Sequence, residues 1–199
     1  EPARAFLVLT TTLALAACSA GGAPTSQTPG SGLLPSAPTG PELSGNAVHD
    51  EAADDRFKLK IAAEQDRYRA GQLIDGIVAE LVNIAAPDPA AVTGSGGGLV
   101  GFAIERDSPH LRVDPVWTMD CVPYSLPRDQ AVTYAFSKSG GYAPEDPNAD
   151  FFRAYFASRQ LRLPAGRWTI TAIANFNEGT DCRGPLHNLS ASISLTVEP

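Results

Sequence analysis

The run from Leu161 to Phe176, LRLPAGRWTITAIANF, restricts this chain more than any other stretch. Leu161 and Leu163 alternate up to a turn at Pro164-Ala165-Gly166. Beyond it Trp168, Ile170, Ala172 and Ala174 fall on one side and Arg167, Thr169 and Thr171 on the other, until Ile173 breaks the polar row. A period of two, carried by β-branched and aromatic residues, marks a half-buried β-strand. Asn188–Val197, NLSASISLTV, repeats the pattern most regularly, with Leu189, Ala191, Ile193, Leu195 and Val197 on one side.

The stretches before these two are read the same way. Phe57, Leu59 and Ile61 alternate with Lys58 and Lys60, a first strand. Asp66 to Gly71, DRYRAG, reads as a turn. In Leu73–Ile84 the residues Ile77, Ala79, Leu81 and Asn83 alternate; helical spacing of Ile74, Ile77, Val78, Leu81 and Val82 competes, and Gly71, Gly76 and the β-branched content favour a strand. Pro87–Gly98 reads as a loop, Leu99–Glu105 and Leu111–Met119 as strands, and Ala131–Ser137 as a strand alternating Val132, Tyr134 and Phe136. A loop at Ser139–Asp150 leads into a short helix over Asp150–Ser158, with Phe152, Tyr155 and Phe156 at helical spacing and Asn148 or Asp150 as N-cap. Seven or eight short strands joined by turns predict an all-β antiparallel sandwich over residues 57–199.

The formal net charge of -7 argues against nucleic acid as a partner, since phosphate binding needs a surplus of Lys and Arg on one face. It argues equally against a polybasic grip on anionic lipid. No cofactor motif is found. Thr93-Gly94-Ser95-Gly96-Gly97-Gly98 lacks the glycine two before the serine that a nucleophile elbow needs, and the Lys-Ser or Lys-Thr ending of a phosphate loop. Asp146, Asn148 and Asp150 alternate like Ca²⁺ ligands, but the loop lacks the glycine and distal glutamate of an EF-hand and reads as a solvated loop and helix cap. His49, His110 and His187 stand singly, so no metal site is expected. Tyr142, Phe151, Phe152, Tyr155 and Trp117 could line a groove, and the first four, in the 139–156 insertion, are the candidate binding face.

Phe6–Ala17, FLVLTTTLALAA, is an uncharged apolar run preceded by Arg4, the length of a signal-peptide core and too short for a helix that crosses a bilayer. It ends Leu15-Ala16-Ala17-Cys18, which resembles the bacterial lipobox. The resemblance implies a lipoprotein signal peptide over residues 1–17, cleavage before Cys18, and acylation of that cysteine. The protein would then be anchored to the cell membrane by its N-terminal lipid, on the extracytoplasmic face. Residues 18–56 are rich in Gly, Pro and Ser and read as a disordered linker. Acylation of Cys18 accounts for the odd cysteine among three. Cys121 and Cys182 would remain in an oxidising compartment, where a disulfide is expected.

Leu163-Pro-Ala-Gly-Arg-Trp168-Thr-Ile-Thr-Ala172 resembles the turn and penultimate strand of immunoglobulin-like domains, and in outline is similar to BsuPI-type proteinase-inhibitor domains. The cysteines follow strands, so their bridge would staple loops and not join the two sheets. These observations lead to a lipid-anchored lipoprotein whose non-catalytic sandwich binds a protein or an envelope polymer. The alternatives are a sandwich-type proteinase inhibitor and an envelope hydrolase that uses His110, His187 or Ser95.

Overall fold

The computed structural model describes residues 45–85 and 87–199. The expected signal peptide, Cys18 and most of the expected linker lie outside the described residues. In chain order the elements are β1 (Val48–Ala53), β2 (Phe57–Ala63), β3 (Arg67–Arg69), β4 (Val78–Asn83), β5 (Ala90–Gly94), β6 (Val100–Arg106), β7 (Leu111–Val113), β8 (Val122–Leu126), β9 (Ala131–Ala135), α1 (Ala149–Phe156), β10 (Gly166–Glu178) and β11 (Leu186–Glu198).

They form an all-β sandwich. One sheet has the order β1-β2-β4-β9, and the other runs β3-β11-β10-β5-β8, with β6 also on β10 and β7 on β6. The order β2-β4-β9 opposite β11-β10-β5/β6 matches the A-B-E and G-F-C strands of an immunoglobulin-like domain. The expected alternation decides which side of each strand faces inward. Phe57, Leu59 and Ile61 from one sheet, and Trp168, Ile170, Ala172 and Ala174 from the other, have no accessible surface. Each large side chain so buried contributes about 1.5–3 kcal/mol. Ala79, Leu81 and Asn83 are buried in alternation, and within the expected Leu73–Ile84 strand the part Val78–Asn83 is strand and not helix, while Ile74 makes an isolated bridge to Leu161.

β10 and β11 pair antiparallel along nearly their whole length, from Gly166 opposite Val197 to Asn177 opposite Leu186. The other edge of β10 is shared. β6 pairs with Trp168–Ala174 and β5 with Phe176–Glu178. Both run the same way, so β5 and β6 are one long strand broken by a bulge. Leu99 rejoins the ladder by accepting from Asn175 N (3.0 Å), leaving residues 95–98 to loop outward. Gly98, at φ +113°, closes that loop by donating to Ser95 O (2.9 Å).

Four short pieces differ from the sequence reading. β1 lies inside the stretch assigned to the linker and pairs with Lys58–Ala63 of β2, so sheet structure begins at Val48 and not at Phe57. β3 occupies the expected turn at 66–71 and pairs parallel to β11, inserting Tyr68 into the core. β5 occupies the expected Pro87–Gly98 loop, and β8 follows Cys121 where no strand was expected. Conversely, only Leu111–Val113 of the expected strand at 111–119 is paired. A three-residue strand sends in one side chain, as β3 does, or two, as β7 does, too few for a period to register. Tertiary pairing supplies what local pattern lacks.

The helix forms where expected and lies in the connection from β9 to β10. Asn148 stands at its N-cap position without a side-chain cap bond. Its C-terminal end is held instead by Lys138, whose Nζ donates to Tyr155 O (2.5 Å) and Ser158 O (3.0 Å) and lies 4.1 Å from the Tyr155 ring centre. A cation there satisfies free carbonyls and opposes the negative end of the helix dipole.

Trp168 gathers the most varied contacts: Nε1 donates to Pro164 O (3.0 Å), Phe151 stacks on the ring at 5.7 Å, and the Arg106 guanidinium lies 5.2 Å from it. Trp168→Ala is expected to lower unfolding stability by about 3–5 kcal/mol, measured by denaturant titration.

Candidate functional site

The four aromatics expected to form a binding face are committed to packing. Phe152 and Tyr155 are 7 % and 5 % exposed, and Phe151 and Tyr142 are half-buried against the same core. Phe151 stacks on Trp168, and Tyr142 lies 5.7 Å from the Phe152 ring. Burial drives the Tyr155 hydroxyl pKa upward. The reason is the helical stripe itself: the apolar side of α1 closes the sandwich beside Trp168, leaving these rings little surface to offer. The expectation of an exposed face on these residues is therefore corrected. Trp117 alone of the five stands apart from them.

The polar candidates separate as well. Asp146 Oδ1 accepts from Asn148 N (2.7 Å), and Asp150 pairs with Arg153 (2.8 Å), so this acidic loop serves the start of the helix. His110 is an exposed side chain 3.7 Å from Glu105. His187 is buried between the rings of Phe57 and Phe176. Its Nδ1 donates to Asp54 Oδ2 (2.7 Å), and Nε2 lies 3.5 Å from Glu178 Oε2, which itself pairs with Arg56 (2.8 Å on the other oxygen). Burial pushes the Asp54 carboxyl up. The His187 bond and the backbone N–H groups of Arg56 and Phe57 outweigh that, and the net shift is downward. The β1–β2 turn is thereby tied to the far ends of β10 and β11. Sequence reading missed this network because Asp54 and His187 are 133 positions apart.

Ser95 is engaged elsewhere. Its Oγ accepts from Gly97 N (3.1 Å) and Thr118 N (3.0 Å) and shares a hydrogen bond with Thr118 Oγ1 (2.8 Å). Thr118 Oγ1 also donates to Asp120 Oδ1, and Gly96 N donates to the Asp120 carboxylate (3.1 Å). These bonds hold the 95–98 bulge against the segment 114–120, which crosses the outer side of β6. The close approach leaves no room for a side chain at Gly101 and crowds Gly96. A Cβ on Gly101 would come within 2.7 Å of Pro115 Cβ and 3.1 Å of Trp117 Cη2, and one on Gly96 would collide with Asp120.

Cys121 and Cys182 are paired at disulfide distance, with Cα atoms 5.9 Å apart. The bridge joins the start of β8 to the turn after β10. Beside it lies a cleft of about 330 Å³ whose lining includes Ser95, Trp117, Asp120, Asn175 and Asn177. The Asp120 carboxyl is held below the usual range by the Thr118 hydroxyl and the Gly96 N–H. Among the described residues no group of three or more His, Cys, Asp or Glu is placed to hold a metal ion, and no helix is long and apolar enough to cross a membrane.

Searches against protein-family models, curated proteins and solved structures returned no match for this chain.

Two measurements check this geometry. Because the Asp54 pKa is depressed on folding, its contribution is complete above the unfolded carboxyl value of about 3.9 and is lost as pH falls through the lower folded value. Asp54→Asn is expected to cost about 1–3 kcal/mol at neutral pH and to lose less of its remaining stability than wild type below pH 4, followed by denaturation between pH 7 and 3. Replacing both Cys121 and Cys182 by Ser opens a loop with a sequence separation of 61. The loss in denaturant unfolding should be about 2–4 kcal/mol.

Proposed function

We propose that this protein is a bacterial lipoprotein. It is acylated at Cys18, tethered by the segment between Cys18 and strand β1, and displays its sandwich at the extracytoplasmic face of the cell membrane, where it binds a protein or envelope polymer without catalysis. The observation that carries this reading is the Cys121–Cys182 pair. Disulfides persist in oxidising compartments, so the pair favours an exported chain, and it leaves Cys18 as the odd thiol within the lipobox-like sequence. Strand Val48–Ala53 shortens the segment available as tether without removing it.

A binding role is supported by where apolar surface is left exposed. The large hydrophobic residues exposed among the described residues are Ile84, Val116, Met119 and Leu186; Met119 lines the cleft with Asn175 and Asn177, and Leu186 is the ladder partner of Asn177. Such clustering marks interaction surface more often than scattered single residues do. His187, bonded to Asp54, is enclosed by aromatic rings, His110 stands exposed 3.7 Å from Glu105, and none of the hydrogen-bond partners of Ser95 Oγ is a histidine. This arrangement favours binding over hydrolysis.

Intact mass of protein purified from its native membrane, with and without reduction, tests the proposal. The expected mass begins at Cys18 with a diacylglyceryl group added and gains two hydrogens on reduction. An unacylated chain that retains residues 1–17 would overturn it.

A further inference from the structure

The two outer faces of the sandwich differ in a way that identifies a class of ligand. On the β1-β2-β4-β9 sheet the outward row crosses Glu51, Lys60 and Glu80, opposite charges directly facing one another. Alternating charge of this kind is an ordinary solvated sheet face. On β10 and β11 every outward position from Thr169 to Asn177 and from Asn188 to Thr196 is Ser, Thr or Asn, Ile173 excepted. Opposite residues on this face include Thr169 with Ser194, Thr171 with Ser192, and Asn175 with Asn188. Thr171 and Ser192 hydrogen-bond each other (2.8 Å). Charge returns at the ends and flanks: at Arg167, at Arg67 opposite Thr196, at Asp50, whose carboxylate accepts from Ser192 N, and in the Glu105–Arg112–Asp114 ion pairs.

A chain with a net charge of -7 thus keeps one broad sheet face almost free of charge. The face leads into the cleft beside the disulfide. There the Trp117 ring lies against the outer side of β6 at Gly101, whose ladder partner is Ile173. Asn175, Asn177 and Asp120 line the same cleft, with the fully exposed Met119 at its rim.

We infer that this cleft and the adjoining β10–β11 face bind a neutral polysaccharide, with one sugar ring held at Trp117. The inference deepens the binding role proposed above and depends on that reading only for the compartment in which the ligand is met. The C–H groups of a pyranose carry partial positive charge and suit the negative face of an indole. Its hydroxyls both donate and accept, as do the hydroxyls of Ser and Thr and the amide of Asn, while Asp120 supplies a strong acceptor. The cleft lies at the lower end of the range for small-molecule sites, about 300–1,000 Å³, which suits a single sugar unit. The cations near this face, Arg167, Arg67 and Arg112, lie at its end and flank and leave its middle without one for an anionic polymer. A protein partner fits the face less well, because protein interfaces are depleted in Ser and their energetic centres in Ser and Thr, the residues that dominate here.

The test is native affinity electrophoresis of the full chain in detergent, in gels containing dextran, mannan or arabinogalactan, with polygalacturonate as the anionic control. Retardation by at least one neutral polymer is expected, lost when that polymer has been oxidised with periodate. Trp117→Ala and Asn175→Ala should each weaken it about tenfold, Trp117→Phe should restore most of it, and Lys58→Ala on the opposite sheet should leave it unchanged. If Trp117→Ala does not fold, Asn175→Ala and Trp117→Phe still decide. Retardation by no neutral polymer, retardation by polygalacturonate alone, or retardation insensitive to both alanine variants overturns the inference. So does photo-crosslinking from position 119 to a membrane protein when no polymer retards the chain, which makes the ligand a protein. Acylated Cys18 with no retardation removes the glycan and leaves the display reading standing; retardation by an unacylated chain does the reverse.

Discussion

β10 is the strand on which the rest of the structure depends. One edge is taken entirely by β11, and the other is divided between β6 and β5. Its inner side places Trp168 at one end and Phe176 at the other, with Ala172 and Ala174 between them. The small residues let the opposing sheet approach, and the large ones fill the space toward the two ends of the sandwich. Phe176 meets Phe57 edge-on at 4.9 Å, and Trp168 is covered by the helix through Phe151. Close packing of this kind leaves little freedom for any neighbour to shift alone.

The division of that edge creates the candidate site. A bulge arises where one strand must keep its pairing while carrying extra residues. Here the four residues from Ser95 to Gly98 leave the ladder, with Gly96 and Gly97 exposed. The chain then returns past them as the 114–120 segment, and Ser95, Thr118 and Asp120 exchange hydrogen bonds between the two. Tyr124 on β8 adds a third tie by donating to Ser95 O (2.7 Å). The disulfide fixes the remaining wall, with Cys182 N donating to Thr93 Oγ1 (3.2 Å). A cleft built from a bulge, a crossing segment and a staple keeps its shape without a ligand, which lowers the ordering cost of binding.

Buried polarity is concentrated at the end of the sandwich where β1 turns into β2. Asp54, His187, Glu178 and Arg56 meet there. Asp50 on β1 reaches across to accept from Ser192 N (2.8 Å) on β11. The first strand thus binds to β2 through its backbone and to β11 through its acids, guarding an otherwise open edge. That explains how a segment poor in large apolar residues joins the fold: hydrogen bonds and ion pairs hold it more than burial does.

By itself the sequence determined the longest strands and their inward sides, because period-two alternation is a local property that survives any arrangement of neighbours. It determined the helix for the same reason, through the spacing of Phe152 and Tyr155. The lipobox resemblance at Cys18 led to the expectation that Cys121 and Cys182 pair, and the structure places them at disulfide distance. Tertiary structure alone decided the rest. Strands β1, β3, β5 and β8 are short or polar, and their backbone conformation follows from an edge waiting to be paired, which lies far away in the chain. The same holds for the site. Alternation showed that Thr169, Thr171 and Ser192 face outward, but their meeting with Trp117 beside a cleft depends on the bulge at Ser95–Gly98 and the crossing at 114–120. Burial of the helix aromatics is likewise a matter of what the helix packs upon. Exposure is a relation between distant residues, and a sequence read along its length records only the near ones.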